Sequence, residues 1–225
     1  MCGRYSLKTP ADTLAEHFQL TKPPSLSPRF NIAPSQPIAI VRIHAPQENR
    51  ECVLTRWGLI PSWANDPSLG NRMINARAET VAEKPAFRGP LAHSRCLVPA
   101  DGYYEWQREG RMGQRKQPFY IRLRDGRLFA FAGLWERWAG PDGEAIESCA
   151  ILTTEPNESL KEIHDRMPLI LDPKEYDQWL DPAVRQAQLL QPLFRPYPPE
   201  EMTAYPVSLR VNDPSHDDAG CIEPL

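Results

Sequence analysis

The apolar residues of the chain fall in short runs separated by Pro, Gly and polar residues, a spacing typical of β-strands rather than of long helices. Runs rich in β-branched and aromatic residues predict strands at QPIAIVRI (36–43), ECVLTRWGLI (51–60), SRCLVPA (94–100), GYYEWQ (102–107), PFYIRLR (118–124), RLFAFAGLW (127–135) and SCAILTT (148–154). Further strands are predicted at CGRYSL (2–7), MPLIL (167–171) and TAYPVSLRVN (203–212). Between two of the runs, Asp125-Gly126 predicts a tight hairpin, because Asp-Gly favours positive φ.

Helical spacing is confined to a few short segments. Leu14 and Phe18 lie four residues apart behind Pro10, and they predict a helix in PADTLAEHFQL. Asn157 as an N-cap predicts a helix in NESLKEIH, and INARAETVAEKPAF predicts a loop leading into a short helix that ends before Pro85. One or two more helices are predicted from PKEYDQWL (173–180) through QAQLL (186–190).

The predicted strands do not alternate regularly with long helices. This order predicts an α+β fold with a mixed, largely antiparallel, barrel-like β core and peripheral helices. The chain has 225 residues without an internal repeat or a low-complexity linker, so a single domain over 1–225 is expected. The tail after about residue 212 is polar, and partial mobility is expected there.

Composition narrows the class of protein. Hydrophobic residues make up 41% and charged residues 24%, as in an ordinary soluble domain, while 25 prolines indicate many turns. No stretch approaches the roughly 18 apolar residues of a membrane helix, and the first twenty residues contain no apolar signal core, so a cytoplasmic protein without a membrane partner is expected. A monomer is expected.

The net charge of −3 conceals an uneven distribution. Residues 1–137 contain 20 basic and 12 acidic side chains, whereas residues 138–225 contain 6 and 17. Of the 26 basic residues 20 are Arg, whose planar guanidinium suits bidentate contact with phosphate. Two interpretations stay open: a basic surface for nucleic acid, or an acidic half of the chain that covers the basic half.

The five cysteines are scattered, without a CxxC pair or a His at metal-ligand spacing. A disulfide framework and a structural metal are therefore not predicted, and nothing indicates an organic cofactor. Cys52, Cys96 and Cys149 lie in apolar runs and are predicted to be core residues.

Cys2 directly follows the initiator Met. If Met1 is removed, Cys2 carries both an α-amine, with a pKa of about 8, and a thiol, with a pKa of about 8.5. The thiolate can then attack an acyl carbon with the amine as base, or the amine can form an imine with an aldehyde that the thiol closes into a thiazolidine. A retained Met1 makes the Cys2 nitrogen an amide and blocks the second chemistry, and an incidental Cys2 is the third interpretation.

Two residues are candidates for proton transfer. Glu105 lies in GYYEWQ, where strand alternation places it on one face with Tyr103, and a carboxyl flanked by aromatic residues is suited to a raised pKa. His164 ends the predicted helix of KEIHDRMPLIL and titrates near neutral pH. The alternatives are a solvent-facing Glu on an edge strand and an ordinary surface His.

Other residues suggest contacts with nucleic acid. Asn75, Arg77 and Glu79 alternate in INARAET, so an extended backbone points an amide, a guanidinium and a carboxylate to one side, which suits phosphate and sugar contacts or a structural ion pair. The aromatic side chains of Trp63 and Trp106 can stack on unpaired bases or belong to the core.

Six blocks in order carry a resemblance to a known family: Met-Cys-Gly-Arg at the start, then RFNIAPSQ, WGLIPSW, NARAET, VPADGYYEW and HDRMPLIL. Together they resemble the SOS response-associated peptidase family, also called abasic-site processing proteins, from residue 2 to about residue 212. The resemblance implies a DNA-damage-response enzyme that recognises abasic sites in single-stranded DNA, links to them covalently and shields the lesion. It also implies lyase and peptidase-type activities, the latter including self-removal of the residue before Cys2.

The resemblance further implies roles for individual residues. Cys2 would form the thiazolidine, Glu105 would assist ring opening and proton transfer at the amine, His164 would move protons at the sugar hydroxyl and imine, and Asn75 would hold the sugar or the Cys2 backbone. Flanking phosphates and bases would be bound by a further set, namely Arg77, Arg166, Arg4, Trp63 and Trp106. Tyr103 departs from the Phe usual in the family and adds a hydroxyl near the site.

Two other functions compete with this hypothesis. An N-terminal-nucleophile thiol peptidase or amidase would use Cys2 on acyl substrates and would not need DNA. A non-catalytic single-strand binder would bind DNA without forming a covalent species.

Overall fold

The structure is a computed structural model that describes residues 2–43, 49–107 and 116–225. Its strands are β1 (Tyr5–Leu7), β2 (Arg29–Ile32), β3 (Pro37–Ile43), β4 (Arg50–Trp57), β5 (Asn75–Arg77), β6 (Arg95–Ala100), β7 (Gly102–Trp106), β8 (Pro118–Leu123), β9 (Phe129–Ala139), β10 (Ala145–Thr154), β11 (Met167–Pro168), β12 (Ile170–Leu171) and β13 (Met202–Pro206). The α-helices are α1 (Ala11–Phe18), α2 (Pro85–His93), α3 (Tyr176–Leu180) and α4 (Ala187–Leu190). No helix among the described residues is long and apolar enough to cross a bilayer.

Five strands close into a barrel in the order β10-β4-β3-β6-β9, with β9 pairing back to β10. The β10–β4 pair is parallel and the other four pairs are antiparallel. The prediction of an α+β fold with a mixed, largely antiparallel barrel-like core is confirmed. Cys96 and Cys149 are fully buried inside this core as predicted, with their sulfurs 3.7 Å apart, whereas Cys52 is only half-buried.

A second, antiparallel sheet has the strand order β13-β8-β7-β1-β2. One face packs on the barrel, where the Tyr5 ring lies 5.4 Å from the Trp57 ring and 5.8 Å from the Phe131 ring. The opposite face carries Tyr104 and Tyr120, which residues of the last part of the chain cover. Strand β7 is central in this sheet, so alternate residues of β7 face the barrel and the C-terminal residues, and both faces are buried.

Three local predictions are wrong. The helix expected to end before Pro85 instead begins at Pro85, because proline lacks the N–H that a first helical residue does not need. NESLKEIH forms turns rather than a helix, since the side-chain oxygen of Asn157 accepts from the Ser159 hydroxyl and does not cap backbone amides. The Asp125-Gly126 turn exists, with Gly126 at φ +76°, but it joins strands of different sheets and therefore makes no hairpin.

The tail, for which mobility was expected, makes defined contacts with β2 in the structure. The Asp217 carboxylate accepts hydrogen bonds from the Arg29 side chain and from the backbone amides of Phe30 and Asn31. Val207 forms an isolated bridge with Pro224. Residues 207–225, called the C-terminal segment below, thus cover the outer face of the second sheet.

Candidate active site at Cys2

Cys2 lies at the start of the chain just before β1 and is completely buried. Its thiol has a long, weak contact of 3.9 Å to the Arg4 carbonyl oxygen. Burial first, and the negative charge of Glu105 second, raise the pKa of the Cys2 thiol above its ordinary value. The thiol of this buried cysteine is therefore protonated at neutral pH.

Glu105 lies on the central strand β7 and is only 2% exposed. Desolvation by burial raises the pKa of its carboxyl to about 7, and the nearby charge of Asp165 acts in the same direction. The interpretation of Glu105 as a solvent-facing residue on an edge strand is thus wrong. A carboxyl with this pKa can accept or donate a proton near neutral pH.

His164 follows the turns after β10 and brings an imidazole to the carboxyl. Its Nε2 lies 3.7 Å from Oε2 of Glu105, and its side chain is 18% exposed. Nδ1 accepts a hydrogen bond from the backbone amide of Arg166 at 3.1 Å, so the neutral ring carries its proton on Nε2, toward Glu105. Nδ1 also lies 3.1 Å from the Asp165 carboxylate oxygen Oδ1.

Asn75 and Arg77 enter the same region through strand pairing. Strand β5 pairs in parallel with β10, which sets Asn75 opposite Ile151 and Arg77 opposite Thr153. The amide nitrogen of Asn75 is 3.4 Å from the Ile151 carbonyl oxygen, while its side-chain oxygen is buried and has no hydrogen-bond donor among the described residues. Arg77 is exposed at the end of β5.

Arg166 is held by an ion pair. Its guanidinium makes a bidentate contact with Glu79 at 2.8 and 2.9 Å and also donates to the Thr153 carbonyl oxygen at 2.7 Å. For Glu79, the structural ion pair is therefore the interpretation that holds. The bridge joins the segment after β5 to the segment that carries His164.

Arg4 and Trp106 are also engaged within the protein. Arg4 donates to the side-chain oxygen of Asn31 at 2.9 Å and to the Val211 carbonyl oxygen at 2.6 Å. The indole N–H of Trp106 donates to Asn212 at 2.7 Å, and the Arg4 guanidinium lies 5.9 Å from the Trp106 ring centroid. Asn31 had no role in the sequence interpretation, because an Asn in an extended run gives no signal of the partners that the fold brings to it.

The two tryptophans of WGLIPSW have opposite environments. Trp57 is fully buried and belongs to the core, whereas Trp63 is 59% exposed. Two glycines hold the loop that carries Trp63: Gly58 has φ +126°, and a Cβ on it would lie 2.6 Å from the Gly70 carbonyl oxygen. The loop thus presents a large apolar ring to solvent on a backbone that only glycine allows.

The end of β10 explains why these residues meet. Strand β10 pairs with β5 on one side and with β11 on the other, so the segments around Asn75 and His164 are brought to one place, where β7 supplies Glu105. These features define the class: an α+β protein whose closed mixed barrel and adjoining antiparallel sheet surround a cysteine, a glutamate and a histidine, with the cysteine at the second residue.

The chain belongs to the SOS response associated peptidase (SRAP) family, whose family model matches residues 1–214. The resemblance stated from the sequence is therefore confirmed. Over 99% of both chains it is 45% identical to the abasic site processing protein YoqW of Bacillus subtilis, and it is 33% identical to the abasic site processing protein HMCES of Rattus norvegicus, aligning 100% of this chain with 76% of that protein.

The fold agrees with a solved structure. A protein from Bacteroides thetaiotaomicron superposes over 100% of both chains with a TM-score of 0.87 at 29% sequence identity. The barrel and the second sheet are thus shared across a large sequence distance.

Proposed function

We propose that this protein processes abasic sites in single-stranded DNA and links to them through Cys2 after removal of Met1. The observation that carries the proposal is the buried Cys2 beside a carboxyl with a pKa of about 7, which itself lies 3.7 Å from an imidazole. Full-length similarity to proteins named for abasic-site processing supports the same substrate. Met1, whose removal the chemistry needs, lies outside the described residues.

The chemistry proceeds by two bond-forming steps. The ring-opened deoxyribose presents an aldehyde at C1, and the α-amine of Cys2 adds to it with loss of one water to give an imine. The thiol then adds across the C=N bond, so that sulfur bonds to C1 and the S–H proton is transferred to nitrogen. The product is a thiazolidine whose mass is that of the protein plus the DNA minus one water.

The state of the thiol favours this route over acyl chemistry. A thiol peptidase needs a thiolate as nucleophile, usually made by lowering the pKa of the cysteine. Burial has the opposite effect on the pKa of Cys2. In imine formation the amine reacts first, and the thiol that closes the ring need not be ionised beforehand.

The neighbouring groups supply proton transfer. Glu105 in its carboxylate form takes a proton from the C1 hydroxyl during ring opening and from the Cys2 ammonium, and a pKa of about 7 suits both tasks. His164 moves protons at the sugar hydroxyl and the imine, which includes the β-elimination of a lyase and reversal of the link. The side-chain oxygen of Asn75, which has no hydrogen-bond donor among the described residues, holds a hydroxyl of the sugar or the Cys2 amine.

DNA contacts extend outward from this centre. Exposed Arg77 is the leading phosphate ligand, and exposed Trp63 supplies a stacking surface or a wedge beside the lesion. Arg166 shares its guanidinium with Glu79, so a phosphate there would bind to an arginine already oriented by that ion pair. Peptidase-type activity at this site is limited to a single removal of Met1, in which Glu105 takes the thiol proton as the sulfur attacks the Met1 carbonyl carbon.

Intact mass spectrometry under denaturing conditions tests the proposal. The purified protein is measured before and after incubation with a single-stranded oligonucleotide carrying one abasic site, with the undamaged oligonucleotide as control. We expect a species lacking Met1 and a gain equal to the abasic oligonucleotide minus one water. Processed protein that forms no adduct but hydrolyses acyl substrates would identify the thiol amidase instead, and DNA binding without an adduct would identify a non-catalytic binder.

Replacement of Arg77 tests the phosphate contact. We expect Arg77→Ala to weaken binding to single-stranded DNA and to reduce the slope of log affinity against log salt by about 1, because one phosphate contact is lost. Arg185→Ala, an exposed arginine between α3 and α4, is the matched control and is expected to leave the slope unchanged. A slope for Arg77→Ala equal to that of the wild type would remove Arg77 from the phosphate site.

A further inference from the structure

The C-terminal segment contacts Arg4, which follows Cys2 by two residues. The carbonyl oxygen of Arg4 accepts from the Tyr104 backbone amide at 2.9 Å and lies 3.9 Å from the Cys2 thiol. The guanidinium of the same residue donates to the Val211 carbonyl oxygen at 2.6 Å. Backbone and side chain of Arg4 thus connect the nucleophile to residue 211.

The C-terminal segment also contacts Trp106, the residue next to Glu105. Trp106 directly follows Glu105 on β7, and its indole N–H donates to the side-chain oxygen of Asn212 at 2.7 Å. Residues 211–213, called the 211–213 turn below, therefore contact a residue close in sequence to each of the two reacting groups. One contact comes from Arg4, directly before β1, and the other from Trp106 at the end of β7.

Asn31 forms hydrogen bonds to the 211–213 turn. This fully buried residue accepts from Arg4 at 2.9 Å, and its amide nitrogen lies 3.2 Å from the Val211, 3.1 Å from the Asp213 and 2.6 Å from the His216 carbonyl oxygens. Its backbone amide donates to Asp217. The buried side chain of Asn31 thus forms hydrogen bonds to both the 211–213 turn and the Arg4 guanidinium.

We propose that the 211–213 turn positions the Cys2 thiol against the Glu105 carboxyl, with Asn31 and Asn212 as positioning residues. The inference rests on the proposed function and assigns Arg4 and Trp106 to this internal network rather than to DNA. Nη1 of Arg4 donates to Asn31 and Val211 and the indole N–H of Trp106 donates to Asn212, whereas Arg77 and Trp63 project into solvent. Loosening the turn lets the thiol drift from the imine carbon, and displacements of about 1 Å lower reaction rates strongly.

Asn212 allows a test that does not endanger the fold, because its side chain is exposed. Asn212→Ala removes the acceptor for Trp106, Asn212→Asp keeps an acceptor oxygen, and Asp218→Ala removes an exposed acceptor from the same segment that contacts Arg210 rather than the site. Adduct formation is measured in single turnover against the concentration of abasic single-stranded DNA. This separates the maximal rate from the concentration for half-maximal rate.

We expect Asn212→Ala to lower the maximal rate by about 3- to 10-fold with the half-saturating concentration within about twofold of the wild type. Asn212→Asp and Asp218→Ala are expected to stay within about twofold of the wild type in both values. A change confined to the half-saturating concentration would instead make Trp106 a DNA-contacting residue and overturn the proposal. An unchanged maximal rate for Asn212→Ala would overturn it as well.

Hydrogen exchange without DNA separates this proposal from the proposed function. Asn212→Ala and Asn31→Ala are expected to speed amide exchange in peptides covering residues 3–7 and 102–107, while Asp218→Ala leaves those peptides unchanged. If the wild-type chain forms no adduct, the proposed function fails, and faster exchange in these peptides still supports the positioning by the turn. Unchanged exchange in both variants overturns it whatever the wild-type chain does with DNA.

Discussion

A Cys2→Ala variant is expected to form no denaturant-resistant adduct with abasic single-stranded DNA, even under conditions in which the wild-type protein is fully converted. The variant keeps the α-amine after Met1 removal but has no sulfur to close the ring, so any imine hydrolyses when the protein unfolds. The measurement is the fraction of protein shifted in a denaturing gel. Because Cys2 is fully buried in a cluster of apolar side chains, the smaller alanine leaves the surroundings intact.

Two further samples make this result specific. Cys52→Ala removes a half-buried thiol from β4, a barrel strand that carries none of the proposed reacting groups, and is expected to form the adduct as the wild type does. Cyanoborohydride added to Cys2→Ala is expected to trap the imine as a reduced adduct, which shows that the amine still meets the aldehyde. An adduct of wild-type stability in Cys2→Ala without reductant would exclude the thiazolidine.

The barrel could be predicted from the sequence because its strands are continuous apolar runs. FAFAGLW in β9 and SCAILTT in β10 are buried on both sides, and a run of this kind has few alternatives to a core strand. The order of strands could not be predicted. Strand β5 pairs in parallel with β10, although four other strands lie between them in the sequence, and no local pattern indicates that partner. The hairpin at Asp125-Gly126 failed for the same reason: turn chemistry fixes a backbone bend but not the sheet that each arm joins.

The candidate site, too, could be predicted only in part: the candidate residues follow from the sequence, but their surroundings do not. Residue chemistry indicated Cys2, Glu105 and His164 as candidates, and the structure places the imidazole 3.7 Å from the carboxyl. Burial raises the pKa of Glu105 to about 7. This burial depends on β7 lying between β8 and β1, an arrangement that the sequence does not reveal. The family resemblance implied a DNA contact for Arg4, and no sequence pattern indicated that its side chain also reaches the C-terminal segment, more than two hundred residues away in sequence.

Replacement of Glu105 has the second large expected effect. We expect Glu105→Gln to slow adduct formation on the order of 10²-fold at pH 7.5 while DNA affinity stays within about twofold, because the amide keeps the shape but cannot take a proton. In the wild type, the rate is expected to rise as the carboxyl ionises around its pKa of about 7. The variant keeps only the rise that comes from ionisation of the Cys2 α-amine near about pH 8, and single-turnover rates between pH 5.5 and 8.5 separate the two rises. Glu136→Gln is the matched control, because burial also raises the pKa of Glu136 although it lies on β9 and contacts Ser62.

The pH dependence of unfolding, compared between the wild type and Glu105→Gln, measures the pKa of Glu105 without DNA. A carboxyl whose pKa is raised in the folded state from 4.5 to about 7 contributes stability that is fully present below pH 4.5 and is lost as the pH rises through about 7. The shift corresponds to about 3 kcal/mol of unfolding free energy, so Glu105→Gln is expected to gain stability relative to the wild type between pH 5 and pH 8. Urea unfolding at a series of pH values checks this. A constant difference across that range, together with a wild-type pH–rate profile in the variant, would show that Glu105 does not exchange a proton near neutral pH and would remove it from the chemistry.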